Sequence, residues 1–160
     1  MLVADLVWFV LRWGVVGSIA VTIYLIVAWQ TGLLATDGDE DGELRANVRL
    51  SSVLTGVGAL LIFLALLVVA DVTDLLRHGA DLPFARLYAL NYLVYVFWLL
   101  YDTIVIDILI VVIWHPDFLK LPDPESHGSI AYHLRTIPRG LIFGAFVTGV
   151  ATSIVWLFFR

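Results

Sequence analysis

The chain has 160 residues, of which 61% are hydrophobic and only 14% are charged. An average soluble domain is about 45–50% apolar and about 25% charged, so the composition indicates a single integral membrane domain with no room for a second, soluble one. The net charge of −5 and the single lysine, Lys120, argue against nucleic acid as a partner. The absence of cysteine excludes disulfide relays, thiolate metal sites and cysteine nucleophiles.

The first apolar segment, residues 8–29, predicts a membrane-spanning helix of about 30 Å. Its tryptophans lie near both ends, as in the aromatic belts of membrane interfaces. No basic stretch precedes the apolar part, so we expect a retained span and not a cleaved signal. Gly14 and Ser18 are four residues apart and form a small-residue face that lets another helix approach closely.

Arg12 lies one to two helical turns inside this first span. A charge at that depth needs either water or a partner. Two interpretations stay open: the long side chain reaches back to the nearer interface, or it pairs with an acid inside the bundle.

An acidic first loop follows at residues 30–49. From Asp37 onward its acids imitate the first half of an EF-hand loop. The twelfth position of that motif is Val48 and not the glutamate that closes a calcium cage. The sequence therefore favours a solvated acidic turn over a calcium site.

The second predicted span covers residues 50–70, and Asp71 and Asp74 are expected to mark its exit. The short connection that follows contains Gly79 and Pro83. These residues punctuate helices, so the connection predicts a tight turn between antiparallel neighbours.

The third predicted span, residues 88–114, carries polar residues that a membrane span normally excludes. On a helix of 3.6 residues per turn, Asn91, Tyr95 and Asp102 fall within one narrow arc. Asp107 lies about 140° from Asp102 on such a helix, so the two acids are expected to point in different directions.

The two acids, Asp102 and Asp107, have two open interpretations. In the first they are buried and hydrogen-bonded, or paired with Arg139 and Arg12, and serve to fix the register of the helices. In the second they bind and release a proton or cation, or hold a polar ligand, as acids inside membranes commonly do.

The polar third loop, residues 115–137, holds His115, Tyr132 and His133. A zinc or iron site needs three or four convergent ligands, and no tight motif such as HExxH is present. The four histidines lie at span ends or in loops, which does not suit a haem held between two spans. We therefore predict no metal and no cofactor, while a quinone pocket near an interface stays open.

The fourth predicted span, residues 138–159, has the clearest packing signal in the chain. Small residues recur every four positions and begin with a GxxxG pattern, which is typical of close helix–helix contacts. The contact lies either within the protomer or between protomers. The residues of this face and of the row beside it are Gly140, Gly144, Thr148 and Gly149.

Together these segments predict an all-α fold: a four-helix transmembrane bundle with antiparallel neighbours and both termini on the same side of the membrane. The expected partners are the lipid bilayer and either a second copy of the chain or another membrane protein. Hydrolase chemistry has no support, because the serines lack the context of a nucleophile elbow.

Two stretches, YDTIVIDILIVVIWHPDFLKLP and YHLRTIPRGLIFG, resemble the second half of a small bacterial four-span membrane family with no assigned activity. The resemblance covers about 60 residues and implies a multi-pass protein of a prokaryotic inner or plasma membrane. The positions that match are Asp102, Asp107, Pro116 or Pro122, Tyr132, His133 and Gly140.

These patterns are compatible with two functions. The first is that of a non-enzymatic accessory or structural membrane protein that assembles through its small-residue helix faces. The second is that of a protein that transfers protons, ions or a small ligand by means of Asp102 and Asp107.

Overall fold

A computed structural model describes residues 3–31, 42–79, 83–114, 116 and 130–159. In these ranges the chain forms helices: α1 is Val3–Gln30, α2 is Gly42–His78 and α3 is Phe84–Tyr101. From α3 the chain continues without a break into a π-helical segment, Asp102–Trp114. The last helix, α4, is Ile130–Phe158.

The described residues include four helical stretches that are long and apolar enough to cross a membrane. Within such a helix every backbone N–H and C=O is paired, which is the condition for leaving water. Consecutive helices run antiparallel, α3 lies between α1 and α4, and α2 packs against α1 and α4. The predicted all-α transmembrane bundle is thereby confirmed.

The helices extend beyond the predicted spans. The second one begins at Gly42, inside the stretch 30–49 that the sequence predicts as a loop, and continues to His78. The fourth begins at Ile130, so Pro138 lies inside the helix and not in its first turn. A proline there removes one helical hydrogen bond, which a bundle can tolerate when neighbouring elements hold the helix.

The bundle has two ends, which we call the terminus end and the loop end. The terminus end holds the start of α1, the end of α2, the start of α3 and the end of α4. The loop end holds the opposite ends, including the C-terminal part of the π-helical segment and the start of α4.

Small residues on α1 lie directly against aromatic rings of α3. A Cβ at Gly14 would meet the ring of Phe97, and one at Gly17 would overlap the indole of Trp98. The Trp98 Nε1–H donates to the carbonyls of Trp13 and Gly14, each at 3.0 Å. The close approach that glycine permits therefore also satisfies a buried indole.

The small-residue row of α4 packs against α3 within the protomer. Gly144 lies under the Tyr95 ring, and Gly140 lies under Leu99. Thr148 is fully buried in the same row, and its hydroxyl donates to the carbonyl of Gly144 at 2.8 Å. The sequence left two arrangements open for this row: contacts within the protomer or contacts between protomers. The contacts that the structure describes for it lie within the protomer.

An aromatic layer, formed by Phe63, Tyr95 and Trp98, crosses the middle of the bundle. The Phe63 ring stacks on Trp98 with centroids 5.2 Å apart and meets Tyr95 edge-on at 6.2 Å. Buried aliphatic side chains, among them Leu67 and Val94, surround these rings. The interior is therefore apolar at mid-height.

We predict that Gly144→Ala lowers the free energy of unfolding by about 1–3 kcal/mol, because the new methyl group overlaps the buried Tyr95 ring. Unfolding in detergent, followed by circular dichroism, measures the change. Gly56→Ala is the matched control, since a Cβ there meets no described atom within 4 Å. Equal stability of both variants would show that α3 and α4 do not pack this closely.

Candidate functional site: two polar clusters inside the bundle

The π-helical segment places Asp102 and Asp107 on one face. A π-helix closes its hydrogen bonds between residues five apart, so residues i and i+5 lie one above the other. Asp102 and Asp107 are five apart and both belong to this segment. The expectation that they point in different directions assumed α-helical geometry and is wrong for this segment.

The sequence offers a physical reason for this geometry. Most residues from Asp102 to Trp114 are β-branched, in the stretch DTIVIDILIVVIW. Branched side chains crowd the preceding turn of an α-helix, and a wider helix relieves that crowding. Such wide turns are rare and are frequently found at functional sites.

A loop-end cluster consists of Asp102, Asp107 and His133. The His133 Nδ1 atom lies 3.0 Å from Oδ2 of Asp107, with His133 buried and Asp107 partly exposed. Asp102 lies five residues before Asp107 in the π-helical segment, on the same face of it. A carboxyl group from this segment and an imidazole from α4 thus meet at the loop end of two membrane-length helices, with a second acid on the same helical face.

The structure places other loop-end residues differently from the sequence predictions. Asp107 pairs with His133 and not with Arg139, which lies exposed on α4. The exposed Tyr132 ring meets His133 edge-on, with centroids 5.4 Å apart. His115 lies outside the described residues.

A terminus-end cluster consists of Asp71, Asp74, Arg86, Asn91 and Thr152. The Asn91 Nδ2 group donates to Oδ2 of Asp71 at 2.8 Å and to the Thr152 hydroxyl at 2.9 Å. All three of these side chains are fully buried. Asn91 therefore links α2, α3 and α4 through polar contacts.

The two acids of this cluster differ in their partners. Asp74 lies 2.9 Å from His78 and 3.6 Å from Arg86. Oδ1 of Asp71 and Oδ1 of Asn91 are buried and have no hydrogen-bond partner among the described residues. Because a carboxylate oxygen without a hydrogen-bond partner is costly in a dry interior, this site favours a neutral, proton-bearing Asp71.

Sequence reasoning missed this cluster, because it assigned Asp71 and Asp74 to the exit of the second span. Instead α2 continues past them, and both side chains face the interior. A signal was available: the two acids follow the buried Leu67 by four and seven residues, and so share its helical face.

Tyr95 lies between the two clusters on the same side of α3. Its hydroxyl donates to the carbonyl of Gly140 at 3.2 Å. Asn91 and Asp102 are separated by eleven residues, or about 16 Å along a helix. The polar side chains of α3 thus run through most of the bundle, interrupted by the aromatic layer.

The remaining predicted site residues lie on α1 and on the outer side of α4. Arg12 is half-buried, stacks over Trp13 at 5.4 Å and does not pair with Asp102. Ser18 is buried, and Gly149 lies beside Tyr88. The described part of the chain brings no three His, Asp or Glu side chains into an arrangement that could hold a metal ion.

No family model, curated protein or solved structure matches this chain. The likeness to a bacterial four-span family therefore rests on the quoted stretches alone. The four membrane-length helices are the part of that interpretation that the structure supports.

We predict an energetic coupling between Asn91 and Thr152. A double-mutant cycle with Asn91→Ala and Thr152→Val should give about 0.6–1.7 kcal/mol, the range found for hydrogen bonds between membrane helices. Ser153→Ala, paired with Asn91→Ala, should give no coupling, because the Ser153 hydroxyl donates to the Gly149 carbonyl. A coupling of zero in the first cycle would contradict the observed contact.

Cross-linking tests the π-helical geometry, and the chain contains no cysteine that would interfere. Cysteine pairs at positions 102/133 and 107/133 should both react with a short bifunctional thiol reagent, because Asp107 contacts His133 and the π-helical spacing puts position 102 on the same face as position 107. Leu109, which is exposed, gives the control pair 109/133. Reaction of 107/133 without 102/133 would instead indicate α-helical geometry.

Proposed function

We propose that this membrane protein transfers protons across the bilayer through the loop-end and terminus-end clusters. The observation that carries the proposal is the 3.0 Å contact between Asp107 and His133 in a membrane-length bundle, with Asp102 on the same face of the π-helical segment. Acids and histidines at such positions are expensive to keep, and in membrane proteins they mark proton relays and ion paths.

The chemistry of the loop-end cluster suits a proton better than a metal ion. A carboxyl group and an imidazole within hydrogen-bonding distance can pass a proton between them, and both groups exist in charged and neutral forms. A metal ion needs three or four convergent ligands. The 3.0 Å contact between Asp107 and His133 is such a pair of a carboxyl group and an imidazole.

The second cluster supports a path and not an isolated site. Asp71 has a buried oxygen without a hydrogen-bond partner among the described residues, which makes it a second group that holds and releases a proton, at the opposite end of the bundle from Asp107. Tyr95 lies between the two clusters and has a hydroxyl that both donates and accepts.

The aromatic layer acts as the barrier in this proposal. Protons cannot cross a dry apolar layer, so transfer requires water to enter beside Phe63 and Trp98, or the rings to move apart. In the closed arrangement the stacked rings prevent a continuous leak.

The alternative is an accessory protein that assembles with a membrane partner or a second copy. Gly140, Gly144 and Thr148 already pack against α3, so they are not the surface that this alternative would use. The partly exposed row of Ala145, Gly149 and Ser153 favours this alternative, because these small residues line an open groove beside Tyr88.

Proton flux into liposomes tests the proposal. Purified wild type should acidify the lumen when a membrane potential is imposed, and Asp107→Asn, Asp102→Asn and His133→Gln should each reduce the rate at least about tenfold, because an amide does not carry the proton onward. Asp5→Asn, an exposed acid at the terminus end, is the matched control and should retain the rate.

Thermal unfolding of each variant accompanies the flux assay, so that a loss of flux in a folded variant is distinguished from a loss of structure. Wild-type flux equal to that of empty liposomes, or unchanged flux in all three variants, would reject proton transfer. In that case a change of oligomer size in Gly149→Leu would favour the assembly function.

A leak through the aromatic layer is the second measurable consequence. We predict that Phe63→Leu raises the proton flux severalfold, because the smaller side chain no longer stacks on Trp98. Phe146→Leu is the control, since Phe146 is exposed on α4 and does not line the groove that contains Phe63. An unchanged flux in Phe63→Leu would show that this layer is not the barrier.

A further inference from the structure

A polar cleft lies at the terminus end, between the start of α1 and the end of α2. Its volume is about 140 Å³, and neither the loop-end cluster nor the path along α3 contributes to its walls. Arg12 and Arg77 line it from the two helices, together with Trp8, Trp13, Asp5 and Asp74. We refer to it as the terminus-end cleft.

The two arginines of the cleft lack carboxylate partners within the described part of the chain. Neither Arg12 nor Arg77 forms an ion pair with a residue that the structure describes. Asp74, which also lines the cleft, is paired with His78 and with Arg86 from α3. Asp5 is the other acid that lines the cleft, so the guanidinium groups of Arg12 and Arg77 leave one positive charge without a counter-charge there.

The position of Arg12 makes this charge costly. It lies on a membrane-length helix, level with Thr73 and Asp74 near the end of α2. The Trp13 ring offers its face at 5.4 Å, which provides only part of the stabilisation that a guanidinium loses on leaving water. An anion in the cleft would provide the rest.

The surroundings of the cleft match the headgroup level of a membrane. Trp8 is 64% exposed beside it, and tryptophans concentrate at the membrane–water interface. The two helices that form it end or begin here, as membrane spans do at that level. Phosphate groups of lipids lie at the same level, and guanidinium groups bind phosphate through paired hydrogen bonds.

We propose that the terminus-end cleft binds the phosphate ester of a membrane lipid headgroup, with Arg12 and Arg77 as the two cationic ligands. The phosphate sits between the helices and joins α1 to α2. Arg12 and Arg77 belong to neither polar cluster, whereas Asp74 belongs to the terminus-end cluster and also lines the cleft.

Lipid titration of delipidated protein in detergent tests this assignment. The probes are phosphatidylglycerol and phosphatidylethanolamine, a galactolipid without phosphate, and inorganic phosphate; native mass spectrometry and thermal shift give the affinity. Both phospholipids should bind saturably and raise the melting temperature, whereas the galactolipid should not. Arg77→Gln and Arg12→Gln should each weaken phospholipid binding about tenfold, the loss expected for a charge-assisted contact.

Arg139→Gln, an exposed arginine at the loop end, is the matched control and should bind phospholipid as the wild type does. Arg77 is exposed at the end of α2, so its variant tests the site even if Arg12→Gln does not fold. Competition by inorganic phosphate at the same residues would support the phosphate chemistry and identify a soluble source. Equal binding of galactolipid and phospholipid, or unchanged affinity in Arg77→Gln, would overturn the assignment.

Discussion

The absence of water in the bilayer is the constraint on which this structure depends. A helix satisfies its own backbone there, but each buried polar side chain must find a partner, either in its own helix or on another one. α3 carries Asn91 and Tyr95, and the π-helical segment carries the two acids. The other helices supply what these residues need: Asp71 from α2, and Thr152, the Gly140 carbonyl and His133 from α4.

The small residues allow the close helix packing on which the buried hydrogen bonds depend. Gly14 and Gly17 let α1 approach the Phe97 ring and the Trp98 indole, and the same approach brings two backbone carbonyls within reach of the indole N–H group. On the other side, Gly144 admits the Tyr95 ring, whose hydroxyl then reaches Gly140. Close packing thus brings these buried donors within hydrogen-bonding distance of their acceptors, and it occupies the GxxxG face inside one protomer.

The fold could be predicted from the sequence because hydropathy over about 20 residues is a strong signal. The site could be predicted only in part. Asp102 and Asp107 stood out as acids in an apolar run, but their common face depends on a π-helix, for which the β-branched run was only an indirect sign. Asp71 and Asp74 were missed because acids beside the end of an apolar run usually meet water. Here Asn91 from another helix donates a hydrogen bond to Asp71, and Arg86 pairs with Asp74.

The π-helical segment also has a mechanical consequence. Residues 102–114 place more residues in each turn than an α-helix does, so the segment is shorter and wider than the same residues in α-helical form. Tightening it would lengthen the helix toward the loop end and rotate Asp107 off the face that it shares with Asp102. A change from π-helical to α-helical hydrogen bonding would therefore alter the length of this segment and the relative direction of the two carboxyl groups at the same time.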